Sequence, residues 1–576
     1  MTASSGSADL LAALVRLHEE LAAAPLALDV PGVDAARSAR QEMVGQLEDY
    51  ILPRLVQIDA PLLTVVGGST GAGKSTLVNT LVGHPVTASG VLRPTTRSPV
   101  LVHNPADVAW FQPHRLLPDL ARTTSPSTDV GALHLVAVDS IPEGLAILDA
   151  PDVDSVEVHN RQLAAQLLAA ADLWLFVTSA ARYADQVPWA FLLAAAERST
   201  AVAIVLDRTA PTAVVEVRAH LEQMLIERGL EDSPLFTIPE SRVDEHGLLP
   251  TEAVADIRRW LDDLAVDSAK RARIIQQTLD GAIRQVAVRT HAVADAVSAQ
   301  QVTAARLRED VNSAYRAAAD GIAAATSDGT MLRGEVLARW QEFVGAGEFT
   351  RSLEQRVGRL RDRLLDALRG RPQTAQQVTE AVEHGLQVLL VEHAESAAER
   401  AHESWSSSQA GRAVLGTSSD RLGRASRDFR EKADRAVRDW QGDLLDMVRA
   451  EGAEKRTTAR VLAYGVNGLG VALMVLVFSQ TAGLTGGEAG IAGGTALLGQ
   501  KVLEAVFGDQ AVRTLADRAR ADLNRRARDL LDVEAARYLA VLEPVAVSDE
   551  AANRVRDAAR AVDAVRNVAA PPVAER

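Results

Sequence analysis

A chain of 576 residues is too long to fold around one core, so two or three structural units are expected. Its 47% hydrophobic content includes only 4% aromatics, and alanine, leucine and valine dominate, a mix that suits long packed helices better than a β-rich core. The absence of cysteine excludes disulfides and thiolate metal sites, and a net charge of −15 argues against a general nucleic-acid binder.

Residues 8–24 and roughly 34–58 have the apolar spacing of two amphipathic helices, separated by Pro25 and Pro31. Their apolar faces need a partner, for which the long helical region after residue 265 is the candidate. The first nine residues carry no basic run and the apolar stretch behind them is short, so no secretory leader is expected and the chain is placed in the cytoplasm.

From about 60 to 250 short apolar runs alternate with helical patterns. Strands are expected over 62–66, 100–103, 133–138, 145–148, 173–178, 202–206 and 235–238, with helices over 75–82, 157–171, 187–198 and 213–228. Such alternation implies an α/β domain, a doubly wound, mostly parallel sheet with helices on both faces. Between the first strand and the first helix runs Gly68-Ser69-Thr70-Gly71-Ala72-Gly73-Lys74-Ser75-Thr76, which satisfies G-x-x-x-x-G-K-[ST] in the strand-then-helix context that motif requires. Its glycines allow backbone N–H groups to turn inward on phosphate oxygens, and the new helix points its positive dipole end at the same anion. Lys74 is expected to reach the β- and γ-phosphates and the Ser75 hydroxyl to ligate Mg²⁺.

The other elements of the site are uneven. Thr95 or Thr96, in the Pro-bounded loop after the first helix, offers a second hydroxyl for Mg²⁺, and Thr96 is taken as the candidate. Asp149 ends a strand and is placed to hold Mg²⁺ through water. Where a D-x-x-G motif would put glycine this chain has Asp152, an extra carboxylate expected to weaken nucleotide binding or alter Mg²⁺ occupancy. Asp207 and Arg208 stand where N-K-x-D has Asn and Lys, and Ala210 replaces the carboxylate that reads guanine. Arg208 can still stack on a purine face. Residues 239–241 are a weaker candidate for base contact.

From about 267 to 460 the pattern is helical, with Leu422, Ala425, Phe429, Ala433, Ala436, Trp440, Leu444 and Met447 marking one apolar stripe. The mixed charges around it read as a solvated face. Residues 461–487 then carry no charge, and after Glu488 the apolar character continues to Gln500. The first arm, 461–479, is long enough to cross a hydrocarbon core as a helix; the second suits a re-entrant or shallow segment. Lys455, Arg456 and Arg460 precede this hairpin, and Arg513, Arg518, Arg520, Arg525, Arg526 and Arg528 follow it, which would keep both flanks on the cytoplasmic side of a membrane. A hairpin buried in the helical bundle, or in a partner, is the competing expectation.

Assembled, the chain resembles the bacterial dynamin-like GTPases, in an actinobacterial-looking branch with a degenerate guanine-recognition motif. The resemblance rests on GGSTGAGKSTLVNTLVG, GVLRPTT, ILDAPDVDS and the order of the parts. It implies N-terminal helices packing on a stalk (1–58), a P-loop GTPase domain (59–250), a long all-α helical bundle or stalk (251–458), a hydrophobic membrane-interacting hairpin (459–507) and returning stalk helices (508–576). It further implies GTP/GDP with Mg²⁺ as cofactors, membrane lipids as partner, a homodimer or a hetero-oligomer with a sister dynamin-like protein, and action at the cytoplasmic side of the cell membrane. Thr70 and Gly71 depart from the Gln and Ser that dynamins use to organise the attacking water and the charge-compensating cation. Slow or partner-activated hydrolysis is therefore expected. A nucleotide switch that scarcely hydrolyses and a P-loop ATPase are the alternatives.

Overall fold

The computed structural model describes residues 3–87, 98–113, 115–118, 120–125, 131–155, 157–197, 200–332, 334–344, 372–454, 466–479, 499–501 and 503–569. The chain divides into two compact units: Met1–Leu26 with Gly32–Ala299 and Ser548–Arg576, and Ala27–Pro31 with Gln300–Val547.

In the first unit, α1 (Ala3–Ala22) and α2 (Val33–Gln46) are followed by a π-helical turn, Leu47–Ile51, and the short α3 (Leu52–Val56). Leu14, Leu17 and Leu21, at three- and four-residue steps on α1, are fully buried, and α1 packs along the helix Ala551–Ala569 with Arg554 reaching Glu20 at 3.2 Å. Arg556 of that helix reaches Asp295 at 2.7 Å and Arg289 reaches Glu42 at 2.6 Å, so the N-terminal helices find their partners in the helix Ala551–Ala569 and in the part of the long helix Ser268–Ala325 that belongs to this unit.

The sheet follows. β1 (Leu62–Gly68) leads into α4 (Lys74–Val82), and β2 (Val100–His103), β3 (Ala121–Thr123), β4 (Ala132–Ala137) and β5 (Leu145–Asp149) come next. α5 (Val158–Ala169), β6 (Leu173–Ser179), α6 (Gln186–Glu197), β7 (Ala201–Thr209), α7 (Val214–Ile226) and β8 (Leu235–Pro239) complete the alternation, and α8 (Ala255–Val266) closes over it. The strand order is β3-β4-β2-β5-β1-β6-β7-β8, parallel throughout except for the β2/β5 pair. β1 and β6 are buried along their whole length, as uninterrupted apolar runs at the centre of a two-faced sheet must be. β3 was not expected: it is a three-residue edge strand, Ala-Arg-Thr, without an apolar run to mark it. Because β5, β1, β6 and β7 run the same way, residue 149, the loop after β1, the turn after β6 and Asp207 all gather at the carboxyl ends of the strands, where open α/β sheets bind ligands.

The long helix, α9 (Ser268–Ala325), crosses from the first unit into the second, which continues with α10 (Glu335–Val344), α11 (Pro372–Ser406), α12 (Gln409–Thr417), α13 (Phe429–Glu454), α14 (Val466–Val477) and α15 (Asp509–Leu542). Three of its large aromatics are buried with their polar tips matched. Trp405 Nε1 donates to the Leu307 carbonyl at 2.9 Å, Trp440 Nε1 to that of Ala519 at 2.8 Å, and the Tyr538 hydroxyl to that of Ala398 at 2.8 Å. The stripe on α13 is met at Phe429, Ala433, Trp440 and Leu444, all buried, whereas Val437 and Val448 take the buried positions expected for Ala436 and Met447, which are half-buried. The charges around it pair along the helix, Lys432 with Asp428, Arg435 with Glu431 and Arg438 with Asp434.

Of the charge-free stretch, residues 466–479 are described: Val466–Val477 form a helix, and residues 469–479 are all buried. Among the described residues no helix is long and apolar enough to cross a membrane. α14 packs instead against α11, α13 and α15; Gly470 lets the Leu445 side chain approach, and Phe478 lies 5.9 Å from Trp440. Arg520, expected in the basic flank after the hairpin, donates to the Val477 carbonyl at 2.7 Å, and Arg513 and Arg526 pair with Asp509 and Asp522. An all-round apolar helix announces burial, and here the burying medium is protein. Residues 455–465 and 480–498, over which much of the hairpin is expected, lie outside the described residues.

Candidate nucleotide site

The loop after β1 takes the backbone that its glycines permit. Gly68, Gly71 and Gly73 have φ of 146°, 73° and 99°, a region in which side-chain-bearing residues are strained. A Cβ at Gly68 would collide with the Val177 carbonyl of β6, and one at Gly73 with the Asp207 carboxylate, so two of the three are also required by close approach. Gly73 precedes the first turn of α4, where the exposed N–H groups and helix dipole form an anion site.

Lys74 is buried and its Nζ donates to the carbonyls of Gly68 and Ser69, each at 3.1 Å, and to the Asp152 carboxylate. Thr70, one turn of loop earlier, gives both its backbone N–H and its hydroxyl to Asp154 Oδ1, at 2.6 and 2.5 Å, and Arg182 in the turn after β6 holds the other oxygen of Asp154 at 2.8 Å.

Asp149, the last residue of β5, pairs in register with Val66 and is fully buried. Its Oδ2 accepts from the Ser75 hydroxyl and from the Thr87 hydroxyl, both at 2.7 Å. Burial pushes this carboxyl up from its ordinary value, against the pull of those two hydrogen bonds and of the Lys74 charge. Its Oδ1 is buried with no hydrogen-bond partner among the described residues. An orphaned carboxylate oxygen beside the Ser75 hydroxyl is the chemistry expected around a hard divalent cation, so the residues present fit Mg²⁺, with Ser75 and Asp149 holding it directly or through water. The metal would supply neutralisation of phosphate charge. Among the described residues no three His, Cys, Asp or Glu converge as a metal site of their own. Thr95 and Thr96 lie outside the described residues, and the threonine found on Asp149 is Thr87.

Thr87 was not foreseen, nor was the residue that places it. Asn79, buried on α4, accepts from the backbone N–H of Val86 and Thr87 at 2.9 and 3.0 Å and donates to the Thr87 carbonyl at 2.9 Å. An amide inside an apolar helical run is the signal that would have pointed to it, since buried Asn requires partners.

No protein-family model matches the chain, and no curated protein matches it. Among solved structures it is similar to an oligomerised bacterial dynamin pair described as sensing and tethering membranes at long range, with TM-score 0.43, 8% identity, and coverage of 92% of this chain and 95% of that one. LeoA, a bacterial dynamin GTPase from ETEC, covers 94% of this chain at TM-score 0.22 and 13% identity, with 98% of its own length matched. Toc33 from Arabidopsis thaliana, in complex with Mg²⁺ and GMPPNP, matches 40% of this chain and 93% of its own at TM-score 0.24 and 16% identity. The identities are too low for any residue's role to be carried across.

Asp207 and Arg208 close β7 beside the loop. Arg208 has φ of 53°, and its backbone N–H donates to Asp207 Oδ1 at 2.7 Å, which folds the carboxylate back toward Gly73. Burial raises the Asp207 carboxyl to about 6, against the Arg208 N–H and charge that lower it. A carboxyl raised above its unfolded value near 3.9 leaves the native state binding more protons, so this contribution is most favourable below about pH 4 and is lost as pH rises through 6. Asp207→Asn is therefore expected to stabilise the first unit at pH 7.5, by roughly 1–3 kcal/mol, and by much less at pH 4.5. Melting temperatures of both proteins at the two pH values measure it; an equal difference at both would remove the buried charge as the cause.

Proposed function

We propose that this chain is a dynamin-like, Mg²⁺-dependent nucleotide-binding protein that binds GTP and hydrolyses it slowly or with a partner's help. Its place is the cytoplasmic face of the cell membrane, where it acts as a homodimer or with a sister protein. The observation that carries the nucleotide reading is the convergence on one loop of Lys74, the Ser75–Asp149 hydrogen bond and a buried Asp149 oxygen without a partner. Lys74 and the loop amides bind phosphate, while Ser75 and Asp149 hold the metal, with Thr96 the further hydroxyl for it. Arg208 offers a guanidinium face to the base.

Two observations favour a switch with little turnover as the second reading. Thr70 and Gly71 stand where dynamins have the Gln and Ser that organise the attacking water and the cation, and Gly71 brings no side chain to the loop. Ala210 keeps adenine in play, because no carboxylate stands there to accept from guanine. Binding and turnover of GTP and ATP by the purified full chain, with and without acidic liposomes, test all of this. GTP binding with turnover raised by liposomes is expected; ATP bound equally well would overturn the guanine choice, and absence of both would overturn the site.

The membrane reading rests on the charge-poor sequence of 480–498 and on its basic flank before residue 461. Deleting all of 461–500 is not a fair test, because residues 469–479 are core of the second unit. Replacing 480–498 with Gly/Ser residues of equal number should release the protein from liposomes in a sedimentation assay while leaving nucleotide affinity unchanged. Undiminished sedimentation would sink it.

A further inference from the structure

The turn after β5 presents two acids to the two kinds of donor that the phosphate loop offers. Asp152 takes the Lys74 ammonium, and Asp154 takes the Thr70 backbone N–H together with its hydroxyl. The turn between them is docked rather than loose. Val153 is fully buried and its N–H donates to the Gly68 carbonyl at 3.3 Å, continuing the hydrogen bond from Ala150 to Val66 at 3.1 Å. Arg182 holds the outer oxygen of Asp154 from the far side. Each of these donors is one that a phosphate oxygen would need, and a carboxylate and a phosphate are both acceptors carrying negative charge.

We propose that residues 152–154 form an autoinhibitory latch, an internal phosphate surrogate whose two carboxylates occupy the Lys74 ammonium and the Thr70 amide and must leave before a nucleoside polyphosphate can be held there. This rests on the reading of the loop as a nucleotide site. The motif's glycine position explains why such a latch is available: glycine at 152 would leave Lys74 without its carboxylate, and aspartate closes the site in its resting form. Opening moves the whole turn, since both acids flank the buried Val153, and it releases Arg182 from Asp154 at the mouth of the site. Occupancy of the loop is thereby converted into a rearrangement of the 152–155 turn and of the segment after β6.

The test uses the full chain with Asp152→Asn, Asp154→Asn and, should an isosteric amide keep the contact, Asp152→Ala and Asp154→Ala. In nucleotide-free protein, hydrogen–deuterium exchange of the peptide covering 68–75 should quicken at least about tenfold in the Asp154 variants, because the Thr70 amide loses a charged acceptor. In equilibrium titrations with Mg·GTP, Mg·ATP and inorganic pyrophosphate, the Asp152 variants should bind roughly 10- to 100-fold more tightly than wild type, the range that one charge-assisted hydrogen bond commands. Exchange left unchanged, or affinities equal to or weaker than wild type in both Asp152 variants, overturns the latch. Faster exchange with no binding of any of the three ligands by wild type or variants leaves the latch contacts standing and overturns the nucleotide reading instead.

Discussion

Lys74→Ala should abolish nucleotide binding, with affinity for GTP and ATP falling at least about 100-fold, since the loss of two charge-assisted contacts to phosphate is worth roughly 3–5 kcal/mol. Lys74 is the sole cationic side chain in residues 68–75, and it is already aimed along the loop by the Gly68 and Ser69 carbonyls. The fold should tolerate the change. Asp152, the partner left behind, is one-quarter exposed and can rehydrate, so the melting temperature should move little. Calorimetric titration beside a thermal melt separates the two effects. Affinity within threefold of wild type in a folded variant would mean that the loop does not hold phosphate.

Arg54→Met should have the largest effect on stability, about 3–5 kcal/mol, because it strands a buried charge. Arg54 and Asp172 are both essentially inaccessible to solvent, and the guanidinium meets the carboxylate at 2.5 and 3.0 Å while donating to the carbonyls of Ala60 and Pro61 at 3.1 and 3.2 Å. The Tyr50 hydroxyl at 3.0 Å and the Leu63 N–H at 2.8 Å complete the set, and Thr278 of α9 donates to the Asp172 backbone carbonyl at 3.1 Å. One buried pair thus ties the π turn and α3, the start of β1, the start of β6 and α9 together, at the end of β1 away from the phosphate loop. Burial pushes the Asp172 carboxyl up, and Arg54 is the first of the groups that pull it back. Without Arg54 the folded-state value rises further. The destabilisation should therefore be smallest at and below the unfolded carboxyl value, near pH 4, and grow as pH rises above it. Arg54→Met combined with Asp172→Asn should recover part of the loss, since the amide is neutral and still accepts from Leu63. A melt of Arg54→Met within about 1 kcal/mol of wild type would show that the pair contributes packing alone.

These two residues differ in how far the sequence reveals them. Lys74 is readable because its role depends on neighbours a few positions away, and the glycines that shape the loop are themselves letters in the motif. The same holds for β1 and α4, and for seven of the eight strands among the described residues, each marked by an apolar run of the right length. Asp149 was readable for the same local reason, as a carboxylate ending a buried strand. Arg54 and Asp172 are 118 residues apart, and neither carries a local sign that it is buried. Asp154 and Arg182, and Asn79 with Thr87, escaped notice for this reason too: their meaning is a contact, and contacts across the sheet's carboxyl edge exist only once the strands are in order.

The apolar stretch at 461–487 shows the limit from the other side. Composition determines that such a segment leaves water, because about 25 cal/mol per Å² of apolar surface must be buried somewhere. It does not say whether lipid or protein receives it. For residues 469–479 the answer is the α11, α13 and α15 faces, where Leu444 and Leu445 lie against Gly470 and Trp440 against Phe478.

By itself, then, the sequence determined an α/β domain with a phosphate-loop motif between its first strand and first helix, seven of its strands and a helical second half, all features governed by local spacing and hydrophobic period. The tertiary structure alone decided that Asp152 and Asp154 meet Lys74 and Thr70, that Thr87 reaches Asp149, and that Arg54 and Asp172 bind the N-terminal helices to the sheet. Each of those depends on the distance between residues far apart in the chain, which the packing of the sheet and its helices sets and which no local pattern encodes.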